Sequence, residues 1–109
     1  MTIYRAISED EKNNLIDTGI FIPKAGGFET KLFTDSLESA STFGRSFFPF
    51  DQKPFYIVEV TVDNTFSEKL FYEMIDEGLD VGVTIAVDRD ILHEFNNKMT
   101  FTILDHGTI

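Results

Sequence analysis

"KLFTDSLESASTFGR", residues 31–45, changes character part-way along, and that change decides the fold class. "KLFT" reads as a short strand. From Leu37 onward, Leu37, Ala40 and Phe43 recur at a spacing of three, which lays one apolar stripe along a helix. Thr34, Asp35 and Ser36 sit at the turn between them. Ser36 is a good N-cap for a helix over 37–45, with Glu38 close to its positive end. A cluster of hydroxyls and a carboxylate between two apolar segments is equally the composition of a ligand-site wall. Both readings stand at this point.

Upstream, residues 3–7 form a short strand. Ser8 caps the next helix, and Glu11 three residues later completes a capping box. Leu15 and Ile16 give that helix a thin apolar face, and Gly19 is placed to end it in a left-handed conformation. "IFIP" then runs extended into "KAGGF", 24–28, a glycine-rich loop. Downstream, "SFFPFDQKP" is an aromatic loop broken by prolines. "FYIVEVTV", 55–62, is the clearest strand: Phe55, Ile57, Glu59 and Thr61 point one way, and Tyr56, Val58, Val60 and Val62 the other. "NTF" extends it, and Ser67 caps a short helix running to about Met74. "DVGVTIAV", 80–87, is another strand, Asp88 caps a helix through Glu94, and "KMTFTIL", 98–104, closes the chain as a strand. Strands and helices in this succession predict a strand-heavy α+β domain spanning 1–109.

The bulk composition agrees. Of 109 residues, 42% are hydrophobic and 12 are Phe, enough for one real core and one domain. With no cysteine, disulfides, thiolate metal sites and a cysteine nucleophile are excluded. Nine basic residues against nineteen acidic ones give a net charge of −10. A surface this acidic repels phosphate backbones, so direct nucleic-acid binding is not expected. It serves solubility, or it docks on a basic partner. The N-terminus turns polar too soon for a signal peptide, and no apolar run approaches the roughly 20 residues of a membrane span, so a cytoplasmic protein is expected. His93 and His106 lack metal-ligand spacing, and neither a Gly-x-Ser-x-Gly elbow nor a phosphate-cradling loop is present.

Three pieces, in order, resemble the ADP-ribosyltransferase-like family, most closely its small bacterial and phage-type members: "YRAIS" at 4–8 with the helix and "GIFIP" behind it, "KLFTDSLESASTFG" at 31–44, and "DVGVTIAVDRDIL" at 80–92. The resemblance spans about residues 3–104. It implies an α+β fold with split antiparallel or mixed β-sheets and short flanking helices. It also implies NAD+ as substrate, transfer of ADP-ribose to a protein or other macromolecule or hydrolysis of NAD+, and no metal.

Breaking the nicotinamide–ribose bond builds positive charge on the sugar. The site then needs a cation for the pyrophosphate or ribose, an aromatic wall, and a carboxylate near the ribose hydroxyls. By the resemblance, Arg5 is the cation, Phe33 the wall, and Thr34 and Ser36 the hydroxyls of a Ser-Thr-Ser-like motif that here reads Thr-Asp-Ser. The carboxylate is assigned to Asp80 first and Glu77 second. The family's Gln/Glu-x-Glu is missing at the matching strand, and Glu59, an acid inside a convincing strand, comes too early in the order. The bland alternatives are an ion-paired surface arginine, a core phenylalanine and a capping serine. Strand alternation adds a constraint: Phe33 and Asp35 share one face, Thr34 and Ser36 the other, and an Arg5 that faces a cleft leaves Tyr4 in the core. Two other functions compete with the enzyme: a non-catalytic member of the fold, and a small acidic interaction or inhibitor protein.

Overall fold

The computed structural model describes residues 1–22, 31–47, 55–69, 71–75 and 82–104. Along the chain these form β1 (Thr2–Ile7), α1 (Glu9–Thr18), β2 (Lys31–Thr34), α2 (Leu37–Phe47), β3 (Tyr56–Val62), a 3-10 helix (Asn64–Lys69), β4 (Phe71–Ile75), β5 (Gly82–Val87), α3 (Arg89–Lys98) and β6 (Met99–Leu104). The strands make one six-stranded sheet in the order β4-β5-β2-β1-β3-β6. Every ladder among the described residues is antiparallel. The class is therefore α+β, and the parallel pairs of a mixed sheet do not occur among those residues.

The ladders are unequal. β1 and β3 pair over six rungs, from Thr2↔Thr61 to Ile7↔Tyr56. β1 and β2 share one rung, Tyr4↔Thr34. The sheet is thus two three-stranded halves, β4-β5-β2 and β1-β3-β6, joined at a narrow seam.

Side-chain alternation sends the two faces into separate cores. Ile3 and Ile7 of β1 and Val58, Val60 and Val62 of β3 join Leu15, Phe21, Phe33, Phe66, Leu92 and Phe95 in the larger core. Its centre is aromatic: Phe33 lies 5.4 Å from both Phe21 and Phe95, and Phe66 lies 5.7 Å from Phe95. Each ring contributes about 1.5–3 kcal/mol through burial. On the opposite face α2 covers a smaller core of Ala6, Ala40, Phe55 and Ile57, with Leu37 and Phe43 at its edge, as the spacing of α2 predicts. Gly44 lies against the Phe55 ring, closer than any Cβ would allow.

The helix ends follow local chemistry. Glu11 N donates to Ser8 Oγ at 3.2 Å, so half of the expected capping box forms. Gly19 closes α1 at φ 77°, its N–H reaching Leu15 O at 2.8 Å. Ser39 N donates to Ser36 Oγ at 3.1 Å, so Ser36 does cap α2. Asn96 on α3 accepts from Phe21 N at 2.8 Å and donates to Phe21 O at 2.9 Å, pinning the segment after α1 to α3 as a strand neighbour would.

Several expectations need correction. Ile16 is 63% exposed, and α1 buries Leu15 alone. The chain after β3 turns into the 3-10 helix instead of extending, because Asp63 accepts from Thr65 N at 3.0 Å and bends it. Ser67 lies inside that helix, and 71–75 is strand, not helix, because "FYEMI" pairs with β5 from Phe71↔Ala86 to Ile75↔Gly82. Asp88 sits at the N-cap of α3 without a side-chain cap bond, and the helix runs on to Lys98, where Lys98 Nζ meets Glu94 Oε1 at 3.1 Å. The loop at 24–28 and the aromatic loop beyond residue 47 lie outside the described residues.

Candidate functional site

The seam between β1 and β2 gathers most of the residues singled out in the sequence. β2 has four residues, and its backbone gives β1 one rung. Side chains supply the rest of the bridge. Arg5 Nη1 donates to Leu32 O at 3.0 Å. The Thr34 hydroxyl lies 2.9 Å from Ser36 O and 3.4 Å from Tyr4 O, and Thr34 is 4% exposed. Ser36 Oγ in turn lies 2.9 Å from Ser39 Oγ. The Thr34 hydroxyl thus ties β2 to the Ser36 carbonyl, and the Ser36 hydroxyl separately meets the first turn of α2.

On the larger-core side, Arg5 presents its fork to Glu11. Nε meets Oε2 at 2.8 Å and Nη2 meets Oε1 at 3.0 Å, a bidentate pair. Lys31, 4% exposed, brings Nζ to 3.9 Å from the same carboxylate. The guanidinium carbon of Arg5 sits 6.0 Å from the centre of the Phe33 ring, within cation–π range. Glu11 explains the half-formed capping box: its carboxylate is drawn off the Ser8 N–H by two cations. The outcome is a charged cluster roofing the aromatic core at the seam.

The predicted residues thus divide between the faces, as strand alternation requires. Arg5 and Phe33 share the larger-core side, and Phe33 is fully buried among Phe21 and Phe95. Thr34 belongs to the other side, next to α2, and Ser36 follows at its cap. Asp35 is exposed between them. Tyr4, on the strand position next to Arg5, packs at the edge of the smaller core, as expected. Glu77 and Asp80 lie outside the described residues. Among the described residues no group of His, Asp and Glu is arranged to hold a metal ion, and His93 is exposed on α3. Among those residues, too, no helix is long and apolar enough to cross a membrane.

One pair that the site prediction passed over lies next to the seam. Glu59 pairs with Tyr4 across β1 and β3. Partial burial first, then the Glu59 charge and its hydrogen bond, push the Tyr4 phenol above its ordinary value. The signal was present in the sequence as a glutamate in the middle of a strand, where that residue is depleted. Only the register shows which side chains it meets.

No family model, no curated protein and no solved structure matches the chain.

Proposed function

We propose that this chain is an ADP-ribosyltransferase-like domain that takes NAD+ at the β1/β2 seam and transfers its ADP-ribose to a protein or other macromolecule, or to water. The observation that carries this reading is the single rung between β1 and β2. Around that rung stand Arg5 on one face of the sheet and Thr34 with the helix-capping Ser36 on the other. The order of elements supports it too: a strand bearing Tyr4-Arg5, a helix closed by Gly19, then the strand–turn–helix of 31–47. β5 begins at Gly82, two positions before Thr84, the partner of Thr34. The chain therefore re-enters the described structure at the Ser36 end of β2, directly after the segment holding Glu77 and Asp80.

In this reading the Arg5 guanidinium holds phosphate or ribose oxygen, and the Thr34 and Ser36 hydroxyls orient the ribose. The carboxylate of Asp80 or Glu77 faces the positive charge that grows as the nicotinamide–ribose bond lengthens. Thr34 and Ser36 already spend hydroxyl contacts on the turn, so they shape the turn as well as bind.

A second reading has its own observation. Nε, Nη1 and Nη2 of Arg5 are all engaged within the protein. A cation so occupied fits a non-catalytic member of the fold, or an acidic protein that docks on a basic partner and uses Arg5 as a structural tie.

The deciding experiment follows nicotinamide released from NAD+ by the pure protein, with and without cell lysate, beside the thermal shift on adding NAD+. Release that is lost in Asp80→Ala and Arg5→Ala, both still folded, supports the enzyme. A thermal shift without release supports the non-catalytic member. Neither release nor shift removes NAD+ from the account, and salt-sensitive affinity for a basic protein then carries the docking reading.

A further inference from the structure

The sheet ends at β4 on one side and at β6 on the other. β6 pairs with β3 over consecutive rungs from Ile57↔Leu104 to Val62↔Met99, without a bulge. Among the described residues no strand lies against its other side. A strand in that position turns a row of N–H and C=O groups outward, and another extended backbone completes such a row. Proteins guard edges of this kind with lysine, proline, a bulge or a very short strand. β6 has none of these. Its six residues, "MTFTIL", carry no charge and no proline, and most are β-branched or aromatic side chains that favour strands.

The side chains of β6 say which strand that is. Met99, Phe101 and Ile103 belong to the larger-core face; Met99 is buried, whereas Phe101 and Ile103 are half-buried at the margin of that core. The larger core thus runs out at this edge with apolar groups still partly open to water. Thr100 and Thr102, on the other face, are exposed. The pattern is self-complementary. A two-fold axis normal to the sheet at Phe101 lays a second β6 antiparallel to the first. Directly opposite residues share a face, so Phe101 meets Phe101, Met99 meets Ile103, and Thr100 meets Thr102. Apolar side chains meet on one face and hydroxyls on the other. No charge within β6 faces its like, although each chain carries a net −10. Moving the axis to Thr102 sets Thr100 against Leu104 and loses the match.

We propose that two copies of this chain join through β6, antiparallel and in register about Phe101, so that one sheet and one larger core run across both copies. A second β6 is a better occupant than the β4 of another copy. Joining β6 to β4 is head-to-tail, leaves a bare edge at each end, and adds further copies without closing. The proposal goes beyond the NAD+ reading and does not depend on it: β3 and β1 stand between β6 and the β1/β2 seam.

The test is analytical ultracentrifugation of the full chain over a concentration series, beside amide NMR on dilution. A reversible equilibrium that stops at the dimer is expected. It tightens with added salt, because screening relieves the repulsion between two acidic copies. On dilution the largest amide shifts fall within β6, a readout that needs no variant. Thr100→Lys combined with Thr102→Lys sets an ammonium opposite an ammonium twice across the axis, and the dissociation constant rises by about tenfold. Thr100→Glu combined with Thr102→Lys sets a carboxylate opposite an ammonium at the same places and keeps at least the parental affinity. Both positions are exposed, and Thr102 lies opposite Glu59 within the chain, so a lysine there suits the fold in either variant. A monomer at every concentration, growth beyond the dimer, weakening with salt, equal affinity in the two double variants, or dilution shifts confined to residues outside β6 each overturns the proposal.

Discussion

Replacing Glu11 by Gln separates the two roles that the seam gives to Arg5. The substitution keeps the side-chain shape and leaves the Ser8 cap on the Glu11 N–H intact. It removes the charge that Arg5 and Lys31 share. One of the two oxygens bonded to the fork becomes an amide donor facing another donor. Side-chain exposure is 14% for Arg5, 19% for Glu11 and 5% for Lys31. An exposed ion pair contributes about 0–1 kcal/mol, whereas removing one partner of a buried pair costs about 3–5 kcal/mol. These burials place the loss at the low end of the second range, about 3 kcal/mol, because water still reaches part of the pair. For a chain of this size that lowers Tm by about 12 °C, taking about 4 °C per kcal/mol. Urea unfolding followed by circular dichroism measures it, with the slope m expected to stay constant. The difference from the parent persists in high salt, since buried charges are poorly screened. A loss below about 1 kcal/mol would put the pair with ordinary surface pairs and refute the reasoning. The same variant has a functional arm. Glu11→Gln releases the Arg5 fork, so at a temperature where both proteins are folded it binds NAD+ more tightly than the parent, if Arg5 is the phosphate-holding cation.

Gly44→Ala sets helix propensity against packing. The added Cβ would lie 2.7 Å from Phe55 Cζ and nearer still to its neighbours, so overpacking of up to about 3 kcal/mol outweighs the roughly 1 kcal/mol gained in helix propensity, and calorimetry shows a lower Tm that Phe55→Leu restores. Asn96→Ala removes both bonds to the Phe21 backbone at a cost of about 2 kcal/mol. The Phe21 amide then exchanges with solvent faster than the amides of β3, and equal rates would dismiss the clamp. Tyr4 holds its proton more tightly in the folded chain than in the unfolded one. Its contribution is complete below the unfolded value near 10 and is lost as pH rises beyond it. Stability above pH 10 therefore falls less steeply in Tyr4→Phe than in the parent, and parallel curves would remove Tyr4 from the titration.

Local signals located most elements. Strand β2 and the start of α2 follow from "KLFT" and Ser36, and the turn out of α1 follows from Gly19, because each depends on backbone chemistry within a few residues. The misread segment is 63–75. There Ser67 looks like a cap, while the aromatic and aliphatic side chains of "FYEMI" favour a strand, and pairing with β5 decides between them. Ile16 was misread for a related reason. An apolar neighbour of Leu15 suits a helix stripe, but α1 buries one residue against the sheet, and that position is set by where the chain leaves β1.

The candidate site was legible as a parts list and not as an arrangement. Alternation alone separates Phe33 from Thr34, and the structure shows the same division for Arg5 and Tyr4. What no local pattern supplies is that Glu11, a helix-capping residue by its spacing, turns its carboxylate to a strand arginine. Nor does any local pattern bring Thr2, Thr61 and Thr100, from three distant segments, into one row. Both facts come from the antiparallel register around β1, the strand that borders the seam. If β1 slipped by one residue, Arg5 would trade faces with Tyr4, the charge cluster would be driven against α2, and Ile3 and Ile7 would leave the larger core. The burial of those two isoleucines therefore fixes the register, and through it the orientation of Arg5 toward Glu11 and of Tyr4 toward Glu59.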